Sequence, residues 1–190
     1  MMRFTVPILA TILVAGPASA QQVKSSYTDL DPDRDCRMIE RGEVSGSGAL
    51  KCRGYGKYPV YIFADDDRET LYYGVLPPSG RTDWESFQGF NQAGPKIEWR
   101  LSRGVPFATI HRRFVTNGGE RVEVLVVSHV SQGTDDRSCI VGYVVATGNQ
   151  RANEQARQVA DREARGFICG TDQPVVVAGR VPLPPVSRGE

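Results

Sequence analysis

The chain has 190 residues, of which 24% are charged, and its formal net charge is +1. This balance excludes a strongly basic nucleic-acid-binding protein and gives no reason to expect attraction to an anionic membrane surface. The length suits one domain with a substantial hydrophobic core. No run of about eighteen apolar residues follows the N-terminal segment, so no transmembrane helix is predicted.

The first twenty residues have the pattern of a secretory signal peptide. Arg3 supplies a short positive region, residues 7–16 are apolar, and an A-S-A cleavage site ends at Ala20. The apolar run is short for a bilayer span. Cleavage would remove one basic residue and leave 22 basic and 22 acidic side chains. We therefore predict an exported protein that is periplasmic or secreted, with residues 1–20 as the signal peptide.

Four cysteines follow the predicted cleavage site: Cys36, Cys52, Cys139 and Cys169. An even number in an oxidising compartment predicts disulfides, and four cysteines allow three connectivities. We favour Cys36–Cys52 and Cys139–Cys169, because each pair closes a local loop, which stabilises a fold by about 3 kcal/mol in the chain-entropy model. There is no Cys-x-x-Cys motif, which argues against a redox-active pair or a zinc site.

The N-terminal half predicts two hairpins after a loose lead over residues 21–29. Residues 36–43 and 49–55 flank the turn-like VSGSG stretch, and Cys36–Cys52 would staple this first hairpin. PVYIFA (59–64) and ETLYYGVL (69–76) are rich in β-branched and aromatic residues and predict two strands. An acidic turn from Asp65 to Arg68 joins them.

Residues 77–95 form a long segment without clear periodicity that contains Trp84, Phe87 and Phe90. We identify these three aromatic residues as candidate partner-binding residues, because exposed aromatic side chains are typical anchors of interfaces. The alternative is a satellite hydrophobic cluster packed under the loop.

The C-terminal half predicts a meander followed by a helix. The strand-like runs 96–102, 106–115, 121–130 and 139–146 are separated by turn signals. Both faces of residues 121–130 are apolar, as expected for a central strand that is covered on both sides. Residues 150–165 predict a helix, with apolar residues at helical spacing that form a narrow stripe of small side chains: Ala152, Ala156, Val159, Ala160 and Ala164.

The predicted fold class is therefore α+β, mainly an antiparallel sheet (a meander over 97–146) with one C-terminal helix packed on it. Cys139–Cys169 would hold the end of the helix to the start of the last meander strand. A further strand-like run covers residues 175–178. We assign residues 21–178 to a single domain and the Pro-rich residues 179–190 to a flexible tail.

Two acidic segments are candidate cation sites. The first covers residues 29–40, but Arg34 stands where a calcium loop needs a glycine and Pro32 stiffens the chain. We therefore favour a solvated loop there and predict no metal cofactor. Asp65, Asp66, Asp67 and Glu69 form the second segment, interpreted as a hairpin tip. The first segment has the D-x-D-x-D…E spacing of a calcium loop, with acidic residues Asp29, Asp31, Asp33, Asp35 and Glu40.

His111 and His129 are the two histidines of the chain, and both fall in predicted strands. Ser128 and His129 are neighbours on a strand, so their side chains point to opposite faces and cannot form a nucleophile–base pair. No catalytic motif is present, and we assign no catalytic residue. Four arginines could form a basic patch, although we favour a solvated strand face for them. They are Arg100, Arg103, Arg112 and Arg113.

Several segments together resemble a family of small exported bacterial proteins of unknown function. They are YTDLD (27–31), CRGYGKYPVYI (52–62), FNQAGPKIEWR (90–100), PFATIHRR (106–113) and the cysteine-bounded strand–helix end. The resemblance covers residues 27–169 and implies an exported α+β domain without a known activity. VSGSGALKCRGYGKY (44–58) is loosely similar to one group of periplasmic lysozyme inhibitors, but its spacing departs from theirs.

Three functional hypotheses follow. The first is a non-enzymatic binding or envelope-accessory domain that binds an envelope protein or glycan through residues 77–95. The second is a hydrolase or other enzyme that uses His111 or His129 with nearby carboxylates. A lysozyme-inhibitor-like protein is a separate alternative. The third is a purely structural exported domain. Because catalytic motifs are missing, a protein without enzymatic activity is favoured.

Overall fold

A computed structural model describes residues 22–43, 46–80, 82–133 and 136–189. The predicted signal peptide lies outside these residues. Within them the chain forms two helices and twelve strands: β1 Val23–Asp29, α1 Pro32–Asp35, β2 Cys36–Arg41, β3 Gly48–Tyr55, β4 Tyr58–Asp65, β5 Arg68–Tyr73, β6 Glu85–Phe87, β7 Asn91–Ser102, β8 Val105–Asn117, β9 Glu120–His129, β10 Ile140–Val145, α2 Ala152–Glu163, β11 Val175–Val177 and β12 Val186–Arg188.

The larger sheet has six strands in the order β1-β7-β8-β9-β10-β11. Strands β7 to β10 are the predicted meander, and each pairs antiparallel with the next. β11 is parallel to β10, because the crossover through α2 returns the chain in the same direction. The predicted α+β class, with an antiparallel meander and one C-terminal helix, is confirmed.

The predicted N-terminal lead is instead strand β1. It pairs antiparallel with β7 along its whole length, from Val23 opposite Ser102 to Asp29 opposite Lys96. Most of its side chains are exposed or half-buried, as is usual for an edge strand. Such a strand carries little apolar alternation, which is why the sequence did not reveal it.

A second sheet, β2-β3-β4-β5, packs on the face of the larger sheet opposite the helix. Val60 and Tyr73 of this sheet meet Ile97 and Trp99 of β7 in one buried cluster. The β4–β5 hairpin turns through Asp66 and Asp67, both at positive φ, which is the geometry of a type I′ turn. The predicted acidic hairpin tip is therefore present.

Helix α2 packs on the other face of the larger sheet. Its alanines and Val159 meet Ile110, Leu125 and Val127 of the sheet, and this confirms the predicted stripe of small residues. Gly142 of β10 lies under the helix, where a Cβ atom would stand 2.7 Å from Val159 Cγ1. The absence of a side chain at Gly142 thus allows the helix to lie close to the sheet.

Strands β6 and β12 form a third, two-stranded layer that covers the end of the larger sheet. Phe87, Leu183 and Val186 pack there against Val124 and neighbouring sheet residues. The segment 77–95 is therefore not a single irregular loop, since it contains β6 and the start of β7. The predicted flexible tail over residues 179–190 contains β12, which pairs with β6, and Val181 and Leu183 pack against the core, so the part of it that the structure describes belongs to the domain.

Both disulfides have the favoured pairing. Cys36 and Cys52 lie directly opposite each other on β2 and β3. Cys139 precedes β10 and is joined to Cys169, which follows α2. This second disulfide holds the chain after the helix to the start of a central strand, as predicted. Among the described residues, no helix is long and apolar enough to cross a membrane.

Candidate functional site

The two histidines lie on opposite faces of the larger sheet. His111 is opposite Val126 and points toward the second sheet, whereas His129 is opposite Ala108 and points toward the helix. The hydrolase hypothesis requires catalytic groups that converge in one cleft. This separation counts against that hypothesis.

His111 is fully buried, and both of its ring nitrogens have partners. Nε2 lies 2.7 Å from the carbonyl oxygen of Gly94, and Nδ1 lies 2.8 Å from the hydroxyl of Tyr73. A carbonyl oxygen can only accept, so Nε2 carries the hydrogen and Nδ1 accepts from Tyr73. Burial lowers the pKa of His111 to about 4, so the ring is neutral at pH 7. Neither nitrogen is free to act on a ligand.

His129 is also held at both nitrogens. Nδ1 lies 2.9 Å from the Ala164 carbonyl oxygen at the end of α2, and Nε2 lies 2.9 Å from Oδ1 of Asp136. Both partners are hydrogen-bond acceptors, so the two contacts hold the ring between the end of α2 and the segment that precedes β10. His129 therefore holds the end of the helix in place, and its ring nitrogens are not directed at a reaction centre.

The four arginines of the proposed basic patch are dispersed. Arg100 is buried between β1, β7 and α2, where it donates to both carboxylate oxygens of Asp161 at 2.9 and 2.6 Å. Arg113 is buried on the opposite face, beneath the second sheet. Arg112 pairs with Glu123 at 2.7 Å, and Arg103 lies in the exposed β7–β8 turn. Because Arg100 and Arg113 are buried on opposite faces, the interpretation as a basic patch and the interpretation as a solvated strand face are both wrong for these two residues.

The acidic segment at residues 29–40 is occupied by protein contacts. Asp31 caps the short helix α1 by accepting from two backbone amides. Asp35 binds Arg53, and Asp29 pairs with Lys96 at 2.5 Å. Within the described residues, no group of three or more His, Cys, Asp or Glu is arranged to hold a metal ion.

The three candidate aromatic residues have different environments. Phe87 is 2% exposed and belongs to the core, so the satellite-cluster interpretation is right for it. Trp84 is half-buried against Gly189 near β12. Phe90 is 56% exposed. They do not form one platform, and Phe90 alone among them lines one of the two adjoining cavities described next.

Two adjoining cavities have volumes of about 430 and 620 Å³, and Phe90 lines the first of them. Both volumes are in the roughly 300–1,000 Å³ range of small-ligand sites. They share the walls Glu69, Gln92 and Phe114, and together we call them the Phe90 groove. The first is lined by the β4–β5 tip, Phe90, the C-terminal end of β8 and the start of β9. The second is lined by Asp29, Leu30, Asp31, Pro32, Arg34 and Pro95, among others.

Glu69 connects the Phe90 groove to the buried interior. Its Oε2 accepts from the backbone amide of Ala93 at 2.7 Å and lies 3.5 Å from Nη2 of Arg113. Arg113 Nη2 also donates to the Glu69 carbonyl oxygen at 2.9 Å and to the side chain of Asn91. These contacts connect the floor of the groove to the ends of β5 and β7.

Arg121 and Phe114 form the far wall. The guanidinium carbon of Arg121 lies 3.8 Å from the centre of the Phe114 ring, a cation–π contact. Sequence reasoning did not single out either residue, nor Arg68 or Gln92. The T-N-G-G turn between β8 and β9 was a usable signal, because a hairpin there places Thr116 opposite Arg121, next to Phe114.

No protein-family model, no curated protein and no solved structure matches this chain. The resemblance to small exported bacterial proteins therefore stays a prediction. The assignment of a function depends on the chemistry of the Phe90 groove.

Proposed function

We propose that this protein is an exported, non-enzymatic binding domain that binds an envelope component in the Phe90 groove. Its location would be the periplasm or the cell exterior. The signal-peptide pattern of residues 1–20 supports export, and the two disulfides are compatible with an oxidising compartment.

One observation carries the proposal: the exposed side chain of Phe90 lines an open cavity. A single exposed apolar side chain needs no explanation by itself. Here, however, it shares a concave wall with a second aromatic ring and several planar polar side chains. That combination of apolar surface and a few fixed polar groups is typical of ligand sites.

The non-enzymatic part of the proposal follows from how the titratable groups are used. His111 is neutral, buried and bonded twice, and His129 is tied to Asp136 and the helix end. At the groove itself, the carboxylate of Glu69 is engaged by Ala93 and Arg113. These groups position the fold and the floor of the groove.

The test is recovery of envelope material on immobilised, oxidised mature protein. Phe90→Ala removes the exposed ring without touching the core, so the variant should fold normally and lose the recovered material. Ile168→Ala is the matched control, because Ile168 is 61% exposed and lines neither cavity. Equal recovery by wild type and Phe90→Ala would remove the Phe90 groove from the proposal.

A further inference from the structure

The polar groups of the Phe90 groove include both donors and acceptors. Gln92 is exposed and offers an amide, Thr116 offers a hydroxyl, and Asp67 offers a carboxylate at the hairpin tip. A ligand that satisfies all three must itself carry donors and acceptors close together. The hydroxyl groups of a sugar meet this requirement, because each hydroxyl both donates and accepts.

The apolar groups of the groove are aromatic. Phe90 and Phe114 line the same cavity, and Arg121 occupies one face of the Phe114 ring. The face of an aromatic ring is the negative part of its quadrupole and attracts weakly positive C–H groups. One face of a pyranose ring presents such C–H groups, so Phe90 offers a stacking surface for a sugar.

Two arginines that line the first cavity have guanidinium groups without a full set of hydrogen-bond or carboxylate partners. Nε of Arg68 is buried and has no hydrogen-bond partner, and the Asp66 carboxylate is 3.6 Å from its Nη2. Arg121 has no carboxylate partner within the part of the chain that the structure describes. A buried donor without a partner costs free energy unless a ligand or water binds it. A carboxylate matches the guanidinium fork best.

The backbone at the floor offers little to an extended peptide. β7 and β8 pair with each other there, with Gln92 opposite Phe114. The amide of Asn91 donates to the carbonyl oxygen of Asp67, and that of Thr116 donates to the carbonyl oxygen of Phe90. A peptide that binds by strand addition needs a free edge. The donors of this floor are already used.

From these observations we infer that the ligand of the Phe90 groove is an acidic glycan, an oligosaccharide containing hexuronic acid. This inference rests on the proposed function, since it names the ligand class of the same site. A sugar ring stacks on Phe90, hydroxyls bind Gln92, Thr116 and Asp67, and the carboxylate binds Arg121 and Arg68. No covalent step is involved.

The experiment is calorimetric titration of the oxidised mature protein with a hexuronic acid trisaccharide and with its carboxyl-reduced, neutral counterpart. We expect the acidic trisaccharide to bind about tenfold more tightly, which is the effect of one charge-assisted contact. Arg121→Gln should reduce this preference, and Phe90→Ala should weaken binding of both sugars. Arg103→Gln removes one positive charge away from the groove and should change neither affinity.

The outcomes separate the inference from the proposed function. Equal affinity for the two sugars in wild type, or an unchanged preference in Arg121→Gln, would overturn the acidic part of the inference. If neither sugar binds while envelope protein is recovered in a Phe90-dependent manner, the ligand is a protein, and the inference fails but the proposed function stands. If nothing is recovered through Phe90 and neither sugar binds, both fail.

Discussion

The hydroxyl of Tyr73 donates a hydrogen bond of 2.8 Å to Nδ1 of His111 in the buried interior between the two sheets. The opposite ring nitrogen donates to Gly94 at the β7 irregularity. This series of hydrogen bonds links the second sheet, β8 and β7 through one neutral imidazole. The role of the imidazole is structural, and it makes the stability of the fold depend on pH.

His111 should destabilise the protein in acid. Its pKa is about 4 in the folded state and about 6.5 in the unfolded chain, so only the unfolded chain takes up a proton between these values. The stability contribution is complete above pH 6.5 and is lost as the pH falls toward 4, by about 3 kcal/mol in total.

The measurement for His111 is denaturant unfolding of wild type and His111→Gln at several pH values from 7.5 to 4. The variant will be less stable throughout, but its free energy of unfolding should fall less with acid than that of wild type. The difference between the two slopes is the readout, because all other titrating groups are common to both proteins. Parallel curves would show that His111 is not the titrating group.

Glu98 should contribute much more to the free energy of unfolding than Glu154, although the two carboxylates accept similar hydrogen bonds from arginine. Each accepts from Nε and Nη2 of one arginine: Glu98 from Arg157 at 2.7 and 3.1 Å, and Glu154 from Arg151 at 3.1 Å for both. Glu98 lies in a buried ionic cluster with Arg100, whereas Glu154 is exposed. Burial raises the pKa of Glu98, but hydrogen bonds from Arg157 and Ser25 outweigh this and hold it below its usual value.

We expect Glu98→Gln to reduce the free energy of unfolding by about 2 kcal/mol, because charge-assisted bonds at a buried site are lost. Glu154→Gln is the matched control and should have little effect, since water replaces the lost contact. Equal effects of the two substitutions would refute a stabilising role for the buried cluster. Chemical denaturation at pH 7 measures both.

Gly142 and Val159 should be energetically coupled. A Cβ at position 142 would stand 2.7 Å from Val159 Cγ1, so Gly142→Ala pushes the helix away and costs about 2 kcal/mol. Val159→Ala removes the colliding methyl groups and leaves a cavity that the new methyl group partly fills. In a double-mutant cycle, the double variant should be more stable than the sum of the single effects predicts, by about 1 kcal/mol. Strict additivity would mean that the contact with the carbonyl oxygen of Val175, 3.0 Å away, dominates instead.

The two disulfides should each stabilise the fold by about 3 kcal/mol, because they close loops with sequence separations of 16 and 30. Cys139→Ala combined with Cys169→Ala should also loosen the end of α2, whereas Cys36→Ala combined with Cys52→Ala should affect the β2–β3 hairpin. Hydrogen exchange of the two variants distinguishes these local effects. Protection of α2 that is unchanged in the first variant would show that helix packing alone holds its end.

The sequence alone indicated the meander, the helix and both disulfides, because these depend on local patterns. Both faces of β9 are apolar, and the small residues of α2 recur at helical spacing, so their burial could be read directly. Cysteine count and loop length were sufficient to favour the observed pairing. A 4–8-residue alternation or a 3.6-residue period is short-range information.

The edge strand β1, the β6–β12 pair and the Phe90 groove were decided only by the tertiary structure. Val186 pairs with Phe87 across 99 positions of the chain, and no local pattern signals such a contact. Likewise, Phe90 precedes β7, whereas Glu69 and Arg121 lie near the starts of β5 and β9, and only the stacking of two sheets brings them around one cavity. Local propensity selects strands and helices, but a binding site depends on non-local packing, which a single sequence does not encode in any short window.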